Sequence, residues 1–287
     1  MRKRISFSTT QIILFSFFIT IVIGSILLVL PISSKNGRSV TYIDALFTAT
    51  TSVCVTGLVT IPTHSWSIFG QIVILLLIQV GGLGIIAFMS AFMLIIHKQF
   101  KLKDNQLIQD AFNLNTLSGL NSFIKHVFIG TFIIEAIGAF LYMFVFVPDF
   151  GIKGIWISIF NSISAFCNAG MDIIGDVSLC DYATNPLVNF TTSFLIVLGG
   201  LGFIVWWDII RVIKEFKKNK FSCFKKLTLH SKIVLTSSFV FIALGALFIL
   251  IFEYNNPLTL SNYNLFDKIQ ISLFQSITTR TAGFATI

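Results

Sequence analysis

Five stretches of this chain, at about 10–30, 68–96, 127–147, 187–210 and 231–252, are predominantly apolar over some 20 residues or more. A bilayer hydrocarbon core about 30 Å thick takes roughly 20 residues of helix to cross. Inside it every backbone N–H and C=O must be paired, which leaves only helices and closed barrels as spanning structures. A barrel needs short alternating strands separated by turns, and these runs are continuous instead. The chain therefore reads as an all-α integral membrane protein. Composition agrees: 55% apolar residues, 32 phenylalanines, 11% charged residues and a mean hydropathy of +0.89 exceed what a soluble domain can keep from water.

Between and after these spans lie three segments of mixed character, at about 41–53, 154–166 and 264–279. At 1.5 Å per residue they reach only about 20–24 Å as helices, too short to cross. Each leads into a run of small residues closed by glycine: Val53-Cys54-Val55-Thr56-Gly57, Phe166-Cys167-Asn168-Ala169-Gly170 and Thr279-Arg280-Thr281-Ala282-Gly283, with the glycines 113 residues apart. The lead-ins also match (Leu46-Phe47-Thr48-Ala49, Ile159-Phe160-Asn161-Ser162, Leu273-Phe274-Gln275-Ser276), the third being one residue shorter. This is an internal repeat. Backbone that turns back at membrane depth is tolerated only where protein buries it or water bathes it, so the small-residue runs are expected to line an aqueous path. The unit is span, re-entrant pore loop, span. It divides the chain into residues 1–112, 113–227 and 228–287, the last repeat ending after its loop.

Fifteen of the 20 basic residues fall before the first span, between the second and third, or between the fourth and fifth. By the positive-inside rule those regions are cytoplasmic, the N-terminus with them, and the pore loops open from outside. All five prolines lie in the outer segments, where spans end and chains turn. The first apolar run is too long for a cleaved signal peptide and no small-x-small cleavage pattern follows it.

The three loops, together with Gly81-Gly82-Leu83-Gly84 and Gly199-Gly200-Leu201-Gly202 early in the second span of their repeats, resemble the Trk/Ktr/HKT superfamily of potassium uptake proteins, most closely the bacterial KtrB type. That family has four repeats, whereas this sequence ends at Ile287, four residues past Gly283; the resemblance thus implies an N-terminal portion of a longer protein. It also implies a potassium-channel-like fold in the cell membrane and potassium uptake through a filter of backbone carbonyls. The filter is expected to comprise Val53, Cys54, Val55, Thr56 and Gly57, then Cys167, Asn168, Ala169 and Gly170, then Arg280, Thr281, Ala282 and Gly283, with Asp172 at the outer mouth. The transported ion is potassium, with sodium as a second candidate; no cofactor and no resident metal are implied. Family members with serine in place of the first glycine resemble sodium carriers, so Gly57 points to potassium. The implied partners are a second copy of the subunit and a cytosolic nucleotide-binding regulatory subunit.

Such a filter has a simple physical basis. Potassium sheds much of its water on entry, and inward-pointing carbonyls replace it; glycine permits the backbone angles this requires. Half-helices whose C-terminal ends face the ion add the negative ends of their dipoles. Asp172, with Asp149, Asp176 and Asp181 nearby in sequence, either raises local cation concentration or is a solvated loop acid.

Glu135, mid-span, fits a structural pairing or a transport role. The lack of a matching acid in the first or fifth span favours pairing, with Arg280 the only basic residue at comparable depth in the repeat. The Gly-Gly-Leu-Gly runs read as close-packing positions against the pore helices in preference to hinges. The four cysteines suggest no disulfide framework, and the four histidines show no metal-binding spacing. The basic run from Arg211 to Lys226 is a topology signal that can touch anionic lipid, or a docking surface for a regulator. The +8 charge needs no nucleic-acid partner. A secondary transporter would show broken helices and inverted repeats; a membrane enzyme would need a polar cluster at depth. The reading is a potassium-translocating pore subunit, with a sodium/potassium co-transporter or other secondary transporter as the alternative.

Overall fold

The computed structural model describes residues 9–84, 120–216 and 223–287. Nine helices longer than one turn occur among them: α1 (Thr9–Val29), α2 (Tyr42–Val53), α3 (Ile68–Leu83), α4 (Leu120–Phe150), α5 (Lys153–Phe166), α6 (Pro186–Leu201), α7 (Phe203–Phe216), α8 (Leu229–Glu253) and α9 (Leu265–Thr281). The described residues contain no strand beyond one isolated bridge between Ser34 and Trp66.

Polar caps fix most of these starts. Thr41, Ser67, Thr228 and Asn264 each accept a hydrogen bond from the backbone N–H three residues on, and Asn185 accepts from Leu187 and Val188 ahead of Pro186. Such a cap contributes about 1 kcal/mol, and proline at the first helical position loses no helical bond.

Three helices are long and apolar enough to cross a membrane: Gln11–Val29 within α1, Ile124–Phe150 within α4, and Leu229–Glu253. They match the first, third and fifth apolar runs. Of the second run only residues 68–84 lie within the described residues, Ile68–Leu83 of them as α3; the remainder, like Lys98, Lys101 and Lys103, falls outside them. The fourth run departs from a continuous span. It breaks at Gly202, and α6 and α7 meet at a 98° bend. Proline placement also needs one correction, because Pro148 sits inside α4 in its last turn, not beyond it. There it cannot donate to the carbonyl four residues back and its ring crowds that carbonyl, with only two residues of helix left to follow.

The chain packs as two compact units, residues 1–134 and 135–287, divided within α4. In the first, α1, α2 and α3 contact one another pairwise. In the second, α5 and α9 both pack on α6, and α8 packs along α9. The buried Asp208 carboxylate of α7 accepts from Arg211 at 2.6 Å and from the Thr228 backbone N–H and hydroxyl at 2.8 and 2.9 Å, which anchors α7 to the start of α8. Tyr142 of α4 and Thr192 of α6 share a buried hydroxyl–hydroxyl hydrogen bond of 2.6 Å.

Candidate functional site

The three short helices α2, α5 and α9 span nearly the ranges that the repeat predicts, and each delivers its C-terminal end to a glycine-closed loop. In the first loop the Cys54 N–H reaches the Thr50 carbonyl and the Thr56 N–H reaches Thr51. In the second, Cys167 bonds to Ile163 and Ala169 to Ser164. The matched bonds wind the two chains alike, and Val55 (φ 56°) and Asn168 (φ 60°) both stand in the left-handed region, followed by Gly57 (φ 85°) and Gly170 (φ 65°). Asparagine tolerates that conformation; for a β-branched valine it is an outlier. Holding Val55 there costs about 1–3 kcal/mol, strain of the kind that collects at functional sites.

The third loop closes differently. Helix α9 continues to Thr281, so Arg280 and Thr281 occupy its last turn instead of the loop that follows it. Ala282 and Gly283 both bond to the Thr278 carbonyl, and only Gly283 (φ 94°) has positive φ. Arg280 extends its guanidinium to the Ser238 carbonyl of α8 at 3.3 Å. Glu135 is buried, and its backbone carbonyl accepts from Ser162 at 2.6 Å.

Loops two and three come together. A Cβ on Gly170 would run into the Ala282 carbonyl. Asn168 and Thr281 bond through their side chains at 2.9 Å. Beyond the loops, Leu179 N–H donates to the Ala285 carbonyl at 3.0 Å. Asp172 lies in the segment leaving Gly170, where its carboxylate accepts from the Ile174 N–H at 3.3 Å. Farther along, Tyr182 donates to Asp149 of α4 at 2.7 Å. Burial and that carboxylate push the Tyr182 phenol above its ordinary range, so it remains a donor at neutral pH. Cys54, Cys167 and Cys180 are free thiols.

Two sets of glycines seat the short helices. Gly81 of α3 lies against the Val53 carbonyl at the end of α2, and Gly199 of α6 against the Phe166 carbonyl at the end of α5; a Cβ at either would collide with that carbonyl. The first glycine of each Gly-Gly-Leu-Gly run is thus a packing position. The last is not: Gly84 and Gly202 have positive φ and open space around the missing Cβ, and both cap helix ends.

The second set is one that sequence reasoning misses. Gly24 faces Ala49, Gly138 faces Ser162, and Gly245 faces Ser276, each pairing the first span of a repeat with the same position of its short helix. Ser162 and Ser276 also donate across that contact, to the carbonyls of Glu135 and Ile242 at 2.6 and 2.8 Å. The signal that could have found it is a glycine at equivalent depth in all three first spans.

The architecture defines a class: an α-helical membrane protein built from repeated span, pore loop, span units. A model of the TrkH family, described as cation transport protein, matches residues 3–287, and the chain belongs to that family. It is 40% identical over 284 residues to Ktr system potassium uptake protein B of Bacillus subtilis, and 41% identical over 288 residues to potassium/sodium uptake protein NtpJ of Enterococcus hirae. These alignments cover 98% and 100% of the chain but 61% of each relative, so the chain spans about three fifths of their length. The crystal structure of the potassium transporter TrkH from Vibrio parahaemolyticus superposes with a TM-score of 0.69 at 16% identity, covering all of this chain and 54% of that one. That likeness supports the fold.

Proposed function

We propose that the protein containing this chain takes up potassium across the cell membrane, and that its glycine-closed loops supply the backbone carbonyls that replace the ion's water. The observation that carries this reading is the repeated loop geometry: short helices end at positive-φ glycines, and loops two and three lie in direct contact at Gly170 and Ala282. Val53 through Gly57, Cys167 through Gly170 and Arg280 through Gly283 are the segments assigned to the pathway. In the third, Ala282 and Gly283 supply the carbonyls, while Arg280 and Thr281 brace the loop from the helix. Helix C-termini at the loops add negative potential where a dehydrated cation passes. Asp172 sits at the outer mouth.

The bias of basic residues supports a cytoplasmic N-terminus. The family resemblance supports a homodimer and a cytosolic nucleotide-binding regulatory subunit. A second reading, potassium uptake coupled to sodium, draws on the relative named as a potassium/sodium uptake protein.

The test is complementation: the full-length protein, expressed in bacteria that lack their own potassium uptake systems, restores growth at limiting potassium and accumulates rubidium. Protein present in the membrane with rubidium uptake no higher than vector alone overturns the proposal. Omitting external sodium separates the two readings, since only coupled uptake falls with it.

A further inference from the structure

The Asn168 side chain reaches beyond its own loop. With its amide nitrogen turned toward the two acceptors it faces, it donates to the Ile196 carbonyl at 3.1 Å and to the Thr281 hydroxyl at 2.9 Å, while its oxygen accepts from the Gly200 N–H at 3.3 Å. Ile196 and Gly200 are four residues apart in α6, so in an uninterrupted helix their carbonyl and N–H would bond to each other. The amide bonds to both groups. Side chains inserted into the helical ladder are an established cause of kinks, and two residues later, at Gly202, the chain turns through 98° into α7.

Three further observations converge on this point. Gly199 brings α6 against the end of α5, so the amide reaches the ladder without a gap. A cavity of about 50 Å³, lined by residues that include Gly200, Leu201, Ser238, Arg280 and Thr281, lies beside the contact. In the first repeat the equivalent position is Val55, which has no polar group to offer, and α3 ends with the Gly84 N–H on the Gly81 carbonyl. The device belongs to the second repeat.

We propose that the Asn168 amide is a positioning strut: it sets the spacing of loops two and three through Thr281 and holds α6 open at Gly200, so that cation discrimination depends on the state of the bend at Gly202. The side chain acts through the loops and does not itself coordinate the ion. This inference rests on the potassium pathway proposed above.

Asn168→Gly retains the left-handed backbone and removes the amide; Thr281→Val removes the hydroxyl, and Thr281→Ser restores it. In the full-length protein, per molecule in the membrane, Asn168→Gly and Thr281→Val are expected to lower rubidium preference over sodium about tenfold, the discrimination that one hydrogen bond's free energy supports. Thr281→Ser keeps the wild-type preference, and the double variant falls short of the product of the singles because both remove one contact. Independently of transport, hydrogen exchange at the Gly200 amide should change about tenfold or more in Asn168→Gly, slower if the N–H closes onto the Ile196 carbonyl and faster if it is left without an acceptor, and an unchanged rate overturns the strut.

If the wild-type protein takes up no rubidium, the transport reading falls while the exchange measurement still decides the strut. If the wild type transports and Asn168→Gly and Thr281→Val both retain its discrimination, the strut is overturned. Should Asn168→Gly fail to reach the membrane, equal discrimination by Thr281→Val and Thr281→Ser overturns it just as directly.

Discussion

Gly170→Ser is expected to reduce rubidium uptake by about a hundredfold or more while Gly175→Ala leaves it near wild type. Two costs coincide at Gly170. Its φ of 65° lies in the left-handed region, where any L side chain costs about 1–2 kcal/mol. The added Cβ would also overlap the Ala282 carbonyl and lie 3.2 Å from the Gly283 carbonyl carbon, both of them backbone atoms of the facing loop that cannot swing aside. Moving that loop displaces the oxygens proposed to hold the ion. A barrier increase of about 3 kcal/mol already gives roughly a hundredfold loss of rate. Gly175, in the segment that follows, has ordinary φ, and a methyl group there would meet nothing within 4 Å, so alanine at this position controls for glycine loss as such. Uptake per molecule of membrane-inserted protein is the measurement, and equal rates for the two variants would separate Gly170 from the ion path.

Gly199→Val is expected to be as damaging by another route, lowering both uptake and the yield of folded protein. Here the collision is with the Phe166 carbonyl, and the Phe166 carbon and the Asn168 side-chain amide lie at 2.9 and 3.1 Å from the added Cβ. Valine would force α6 away from the end of α5. Overpacking of this kind typically costs about 1–3 kcal/mol, and here it also displaces the start of a loop whose carbonyls must converge. Thermal unfolding in detergent, beside rubidium uptake, checks it; a variant with wild-type melting and uptake would show that the close approach at Gly199 is dispensable.

What can be read from the sequence is whatever the repeat displays in residue identity. The short helices are visible because a mixed segment of limited length precedes each glycine. Gly81 and Gly199 are recognisable as packing positions because small residues at membrane depth have few other uses. The break at Gly202 is not legible: the run from Pro186 to Ile210 is apolar throughout most of its length, and hydropathy does not report φ. The amide that opens α6 comes from Asn168, in another element, so no local pattern around Gly200 signals it. The third loop differs from its sequence expectation for a related reason. The sequence repeat ends the short helix at about 279, whereas α9 runs on through Arg280 and Thr281. Gly24, Gly138 and Gly245 pass unnoticed in sequence because a single glycine in a long apolar helix is ordinary until its partner, Ala49, Ser162 or Ser276, is seen against it.

The central claim, that backbone carbonyls of the glycine-closed loops hold the ion, is tested most directly by anomalous diffraction from crystals of the full-length protein grown with rubidium. The account predicts an anomalous peak within direct coordination distance of carbonyl oxygens in residues 168–170 and 282–283, and its loss in Gly170→Ser. Rubidium bound only at surface carboxylates, or a peak unchanged by that substitution, would contradict it.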